Sequence, residues 1–248
     1  MKLTFLGTGT STGVPQLNCR CSTCTSTDKR DKRLRSSVLI ETGGKKLLID
    51  CGPDFRQQAL AASLQQLDAI LITHEHYDHL GGLDDVRPYG KVAIYAEKRV
   101  NEHIQSAMPY CFKAKLYPGV PQLTLHEIDA QEFWLANIRI QPIRIFHAQL
   151  PILGFRIANM AYLTDLKTIE ESRFEQLRGL DVLILNALRR EKHIGHINLE
   201  EAIELAQKIA AKKTYFIHFS HDIGLHKDLE KELPPTLFMA YDELTINF

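Results

Sequence analysis

The sequence has no excess of either charge: 30 basic residues are matched by 30 acidic ones over 248 positions, a formal net charge of zero. Proteins that grip a polynucleotide usually carry a basic excess, because their affinity leans on phosphate neutralisation. The global electrostatics therefore argue against a nucleic-acid partner. The sequence also lacks any apolar run near the roughly 18–20 residues that cross a bilayer, so no membrane partner is expected. Its opening, MKLTFLGTGTSTG, has one lysine and too short an apolar stretch for a signal peptide. The expected compartment is the cytoplasm. No internal repeat, low-complexity tract or Pro/Ser-rich linker divides the chain. Residues 1–248 read as a single domain with enough apolar sequence to bury a sizeable core. A homodimer stays open.

Another shortage concerns the cysteines. Three of the five, Cys19, Cys21 and Cys24, crowd into NCRCSTC. That is too many for one disulfide and one short of a four-ligand zinc site. In a cytoplasmic protein such clusters more often bind metal or do redox chemistry than form structural disulfides. Cys21-x-x-Cys24 has the spacing of a redox motif but lacks the strand-to-helix setting. Cys51 and Cys111 stand alone and read as small buried hydrophobes.

Short β-rich runs alternate with helical patterns in two halves. KLTFLG (2–7) reads as a strand entering a glycine-rich turn, and residues 8–35 as a long polar loop. A loop of that length in a compact domain is usually functional or pinned by something. SVLIET and KKLLIDC flank Gly43-Gly44, a hairpin signal. Helical patterns cover 54–64, 98–108 and 198–213, the last with Asn198 as N-cap and Glu201 three residues on. The alternation predicts an α/β fold in four layers, an αββα sandwich.

The strongest chemical signal is THEHYDH, which follows the apolar strand pattern LDAILI. His74 and His76 alternate along an extended segment, so both imidazoles can face one point. Asp78 and His79 follow as the chain turns toward a helix. Imidazole and carboxylate are ligands for zinc, manganese or iron. Further ligand-type residues close other apolar strands: His147 in IFH, Asp165 in YLTD and His218 in YFIH. Sites in layered α/β folds collect at such strand ends.

THEHYDH, His147, Asp165 and His218, preceded by LLIDCG, resemble the metallo-β-lactamase superfamily over essentially the whole chain. The resemblance implies the αββα fold and a dinuclear hydrolase. It assigns His74, His76 and His147 to one divalent ion (Zn or Mn) and Asp78, His79 and His218 to a second. Asp165 would bridge the two, and Asp50 would support the histidine loop. The opening FLGTGTSTGVP and the segment HIGHINLEEA are similar to the tRNase Z and phosphodiesterase branch. There a histidine at the place of His196 assists catalysis, so Asp78 and His196 are the candidate catalytic residues.

The three cysteines with a second histidine in HFSHD are similar to the PhnP-like cyclic phosphodiesterases. That match implies a structural zinc on Cys19, Cys21, Cys24 and His221, pinning the loop at about 8–35; His226 is a rival fourth ligand. It also implies an enzyme hydrolysing a small, cyclic phosphodiester. A tRNase Z-like RNA-processing nuclease is the alternative. In the basic run DKRDKRLRSS, Arg33 and Arg35 are candidates to attract a phosphate, against the reading of a solvated charged loop.

Overall fold

The computed structural model describes residues 1–115 and 117–248. Among these, β1 (Lys2–Gly7), β2 (Ser37–Thr42), β3 (Lys45–Ile49), β4 (Ala69–Leu71), β5 (Lys91–Ala96) and β6 (Gln122–Glu127) build one sheet. The other contains β7 (Phe133–Leu135), β8 (Ile138–His147), β9 (Leu150–Ile157), β10 (Met160–Leu163), β11 (Val182–Asn186), β12 (Lys213–Ile217) and β13 (Leu237–Met239). The chain then returns as β14 (Thr245–Asn247) to pair with β1, so both sheets have seven strands, in the orders β14-β1-β2-β3-β4-β5-β6 and β13-β12-β11-β10-β9-β8-β7.

The period-two pattern explains the layering. Val38, Ile40, Leu47 and Ile49 face Phe155, Tyr162, Ile184 and Ile217 across the sheet interface. Their neighbours Leu39 and Leu48 point the other way, toward Phe55, Val100 and Ile104. These belong to the covering helices α2 (Phe55–Ala61) and α4 (Lys98–Ala107); the short α1 (Ser22–Thr25) and α3 (Tyr77–Leu80) lie in loops. On the far face Leu183 and Leu185 meet Ala202, Ala206 and Leu229 of α5 (Leu199–Ile209) and α6 (His226–Glu232). The result is the expected four layers of the metallo-β-lactamase fold. The α5 start is a capping box: Asn198 accepts from the Glu201 N–H at 3.0 Å, and Glu201 accepts from the Asn198 N–H at 2.9 Å. Among the described residues no helix is long and apolar enough to cross a membrane.

The loop at 8–35 is better anchored than its polar composition implies. Val14 and Arg33 form a backbone bridge, with N–H···O distances of 2.9 and 2.7 Å, and Gly9 bridges both Arg35 and Phe219. The loop is thus folded on itself and sewn to the segment that follows β12.

Candidate metal centre

The strand ends of both sheets deliver the site. Asp50 follows β3, Thr73 and His74 follow β4, His147 ends β8, and Asp165 and His218 follow β10 and β12. Asp50, Asp165 and His218 all take left-handed backbone angles, φ 62°, 54° and 60°. That conformation is disfavoured for residues bearing a Cβ, and such strain tends to gather at functional positions. It turns each side chain sharply off its strand.

Asp165 lies at the centre, buried. Its Oδ1 is 3.2 Å from His218 Nδ1 and 3.4 Å from His79 Nε2, while its Oδ2 is 3.8 Å from His74 Nε2 and 4.0 Å from His196 Nδ1. One carboxylate thus faces two separate groups of imidazoles. Asp78 Oδ2 joins the first group at 3.3 Å from His79 Nε2. Ligand atoms of Asp78, His79, Asp165 and His218 converge, as do those of His74, His76 and Asp165. The His147 ring stands 5.9 Å from that of His74 and 5.2 Å from that of His76.

The far sides of the His74, His79, His147 and His218 rings are occupied. His79 Nδ1 donates to Asp50 at 2.7 Å, His147 Nδ1 donates to the Gly195 carbonyl at 2.8 Å, and His218 Nε2 lies 3.1 Å from Thr10 Oγ1. Thr73 Oγ1 links Asp50 to His74 Nδ1 at 3.0 Å. These contacts aim His79 Nε2, His147 Nε2, His218 Nδ1 and His74 Nε2 at the centre, the pattern by which outer partners orient metal-binding histidines. Gly52 is obligatory behind α3: a Cβ there would lie 2.2 Å from the Asp78 carbonyl.

The residues fit divalent cations. His79 Nε2, His196 Nδ1 and His218 Nδ1 are buried without a hydrogen-bond partner, an arrangement that is unfavourable unless something satisfies it. His74 Nε2 and His76 Nδ1 face each other at 3.0 Å, which needs a proton or cation between their lone pairs. Burial opposes charge on His79, but Asp165, Asp78 and Asp50 outweigh it and hold its pKa well above the ordinary value. Burial, helped by the neighbouring His79 and His76, drives His74 well below it despite Asp165 and Asp78. The donor set therefore concentrates negative charge and imidazole lone pairs at two adjoining points.

A second cluster lies at the N-terminal loop. Cys19, Cys21, Cys24 and His221 converge, with the Cys19 and Cys21 sulfurs 3.3 and 3.4 Å from His221 Nδ1. Backbone N–H groups of Gln16 and Cys24 donate to the sulfurs of Cys24 and Cys21 at 3.3 and 3.4 Å. Burial raises Cys24 to about 11; the same effect acts on Cys21, but the Cys24 N–H and His221 draw it down to about 6. His226 is elsewhere, buried beside Arg33 at 3.2 Å.

The expectation for Arg33 is corrected. Its side chain is buried, donating from Nη1 to Thr8 Oγ1 at 2.9 Å and to the Ala240 carbonyl at 2.7 Å, with its guanidinium 4.5 Å from the Phe219 ring centroid. The basic run reads as surface, but the Val14–Arg33 bridge turns this residue inward, where Asp242 offsets its charge. No face is left for a substrate. Arg35 is partly exposed, paired with Asp54 at 2.8 Å and bonded to the Ser11 carbonyl at 3.0 Å. Thr10, Thr73 and Gly195 also belong to the site. Only Thr73, directly before the histidine run, carried a positional hint.

A family model described as the β-lactamase superfamily domain matches residues 45–219. A solved structure described as a new diphosphatase from the PhnP family is 39% identical and superposes with a TM-score of 0.94, covering 100% of this chain and 96% of that one. Human short-form tRNase Z superposes with a TM-score of 0.74 over 100% and 99% of the two chains, but at 21% identity it shows the fold alone. An octanoyltransferase of Porphyromonas gingivalis is 45% identical over 250 residues, 98% of this chain and 51% of that protein. The chain spans about half or less of the length of the first curated relatives it matches.

Proposed function

We propose that this chain, which belongs to the β-lactamase superfamily and within it to the PhnP family, hydrolyses a small phosphodiester, cyclic ones included, with two divalent cations. His74, His76 and His147 would hold one cation, Asp78, His79 and His218 the other, with Asp165 shared. The observation that carries the reading is the central carboxylate, whose two oxygens face two groups of imidazole nitrogens, the partnerless His79 Nε2, His218 Nδ1 and His196 Nδ1 among them. When bound, such a pair of ions lowers the pKa of water and neutralises charge on phosphoryl oxygens.

The chain's own residues do the rest. Asp50 and Thr73 keep the histidine loop in register with Asp165. His196 stands at the edge of the site, its ring 4.5 Å from that of His147 and 5.0 Å from that of His218. Burial holds its imidazole down at about 3, so it is neutral near pH 7 and carries one N–H. That favours hydrogen bonding to a phosphate oxygen over giving up a proton. The thiol cluster would hold a structural zinc that keeps the N-terminal loop beside His218.

A diphosphate linkage is the second reading, favoured by the diphosphatase relative at 39% identity. A polynucleotide substrate finds no support in a net charge of zero. A panel of cyclic and linear phosphodiesters, organic diphosphates and precursor tRNA, run on the metal-loaded protein, separates these readings. Turnover restricted to the small phosphodiesters is the expected result; cleavage of the tRNA precursor alone would refute the proposal. His196→Ala should keep both catalytic cations and lose about 10²–10³-fold in rate, the usual effect of removing one hydrogen-bond donor to developing charge; full activity would remove His196 from catalysis.

A further inference from the structure

We propose that Arg99 is a positioning residue for His74, His76 and His147, bracing the two separate segments that carry them. The inference rests on the two-cation reading above. Glu75 stands between His74 and His76, and its Oε1 is ion-paired with Arg99 Nη1. The other arm of the same guanidinium, Nη2, donates to the Pro151 carbonyl at 2.8 Å. Pro151 pairs with Phe146 across the β8–β9 hairpin, and the next pair is His147 with Leu150. A single planar group therefore touches the residue between two ligands and the rung beside the third.

The brace continues into β8. Glu97, just ahead of α4, lies 3.7 Å from Arg99 and takes two bonds from Arg144, at 2.9 and 2.5 Å. Arg144 is three residues before His147. The four charges alternate in sign from the histidine loop to the strand, and their side chains are only 16–36% exposed. Partly desolvated pairs of this kind are screened less than open surface pairs. Bidentate guanidinium contacts also fix geometry, which a lysine cannot do.

Two observations say that the brace is needed. Glu75 Oε2 is buried without a hydrogen-bond partner, so this carboxylate depends on Arg99 for its compensation. Among the described residues the His76 ring has His74 as its one side-chain hydrogen-bond partner. The backbone ties the histidine loop to β9 at Thr73, through the Leu153 N–H at 3.2 Å, but that lies upstream of His76. His74 and His147 also have outer partners of their own, Thr73 and the Gly195 carbonyl, but Arg99 touches no residue of the other set, where His79 is held by Asp50 and His218 by Thr10. Loss of Arg99 should therefore loosen one cation position and spare the other.

The test is chelator competition on the Mn²⁺- and Zn²⁺-loaded protein, with retained metal counted by mass spectrometry. His76→Ala and Asp78→Ala mark which release step belongs to which ligand set. In Arg99→Ala the step that His76→Ala abolishes should move to about 10–100-fold lower chelator concentration, the usual effect of losing an outer-shell support. The step marked by Asp78→Ala and the thiolate-bound zinc should not move. Arg99→Lys should give a partial shift, and Glu75→Gln should reproduce the selective one while leaving the fold untouched by circular dichroism. If both catalytic steps weaken together, or neither moves, the brace is refuted. A wild-type chain that retains one catalytic ion overturns the two-cation reading instead, and Arg99 then stands or falls on whether its loss loosens that ion.

Discussion

Arg33→Met replaces a buried guanidinium with an apolar side chain of similar length. Three donated bonds disappear, to Thr8 Oγ1, the Ala240 carbonyl and His226 Nδ1. Asp242 stays buried with its own donors, the Leu34 N–H and the Thr8 hydroxyl, both at 2.7 Å, but loses the nearby positive charge of Arg33. Removing one partner of a buried charged cluster typically destabilises by about 3–5 kcal/mol. For a chain of this length that is a fall in Tm of roughly 6–20 °C.

The deficit carries a pH signature. Burial already raises Asp242 to about 6, with the Leu34 N–H, Thr8 and Arg33 acting against it. Without Arg33 the carboxyl rises further. A folded-state pKa above the unfolded one means the fold disfavours the ionised form. The variant's loss should be largest above pH 7 and shrink as pH falls below 6 and the carboxyl takes up its proton. Urea unfolding of the metal-loaded proteins at pH 8 and pH 5.5 measures both quantities. Adding Asp242→Asn should recover part of the loss, because the stranded charge goes with it. Stability within about 1 kcal/mol of the parent, together with a raised KM for a phosphodiester, would refute the buried-pillar account and return Arg33 to the substrate.

Cys21→Ser should release one zinc per chain, lower thermal stability and leave the two catalytic cations in place, which metal analysis and a melting curve read together. His226 sits at about 4, lowered chiefly by burial and then by Arg33 and Arg30. The unfolded chain binds the extra proton, so stability is lost as pH falls from about 6.5 to about 4. His226→Gln should flatten that part of the stability profile, seen as a smaller difference in urea midpoint between pH 7 and pH 5; an unchanged difference would show that the imidazole titrates normally.

From the residues alone, the sequence shows best whatever depends on short spacing, while the roles of the distant His147, Asp165, His218 and His221 come from the family resemblance. THEHYDH carries its own geometry, because extended chain followed by one helical turn places four ligands within six positions. The Asn198–Glu201 capping box and the Gly43-Gly44 hairpin are local in the same sense. Arg33 shows where that kind of reasoning stops. Its neighbours Ala240, Asp242 and His226 lie about 200 residues away in the chain, and nothing in DKRDKRLRSS tells an inward arginine from an outward one. Thr10 and Gly195 were invisible for a different reason. A hydroxyl or a carbonyl becomes an orienting partner only when a histidine arrives beside it. Arg99 combines both difficulties, since its two partners belong to separate turns of the fold.

The Cys19–His221 contact joins residues 202 positions apart. During synthesis the three thiols therefore leave the ribosome long before the imidazole that completes their cluster. At about 5–20 residues per second the gap is roughly 10–40 s. For that interval the nascent chain presents a three-thiol chelate open to solvent, oxidant and competing soft metals. Slower translation or a copper-rich medium is therefore expected to lower the share of chains that carry zinc on these thiols, which metal analysis of the purified protein would read.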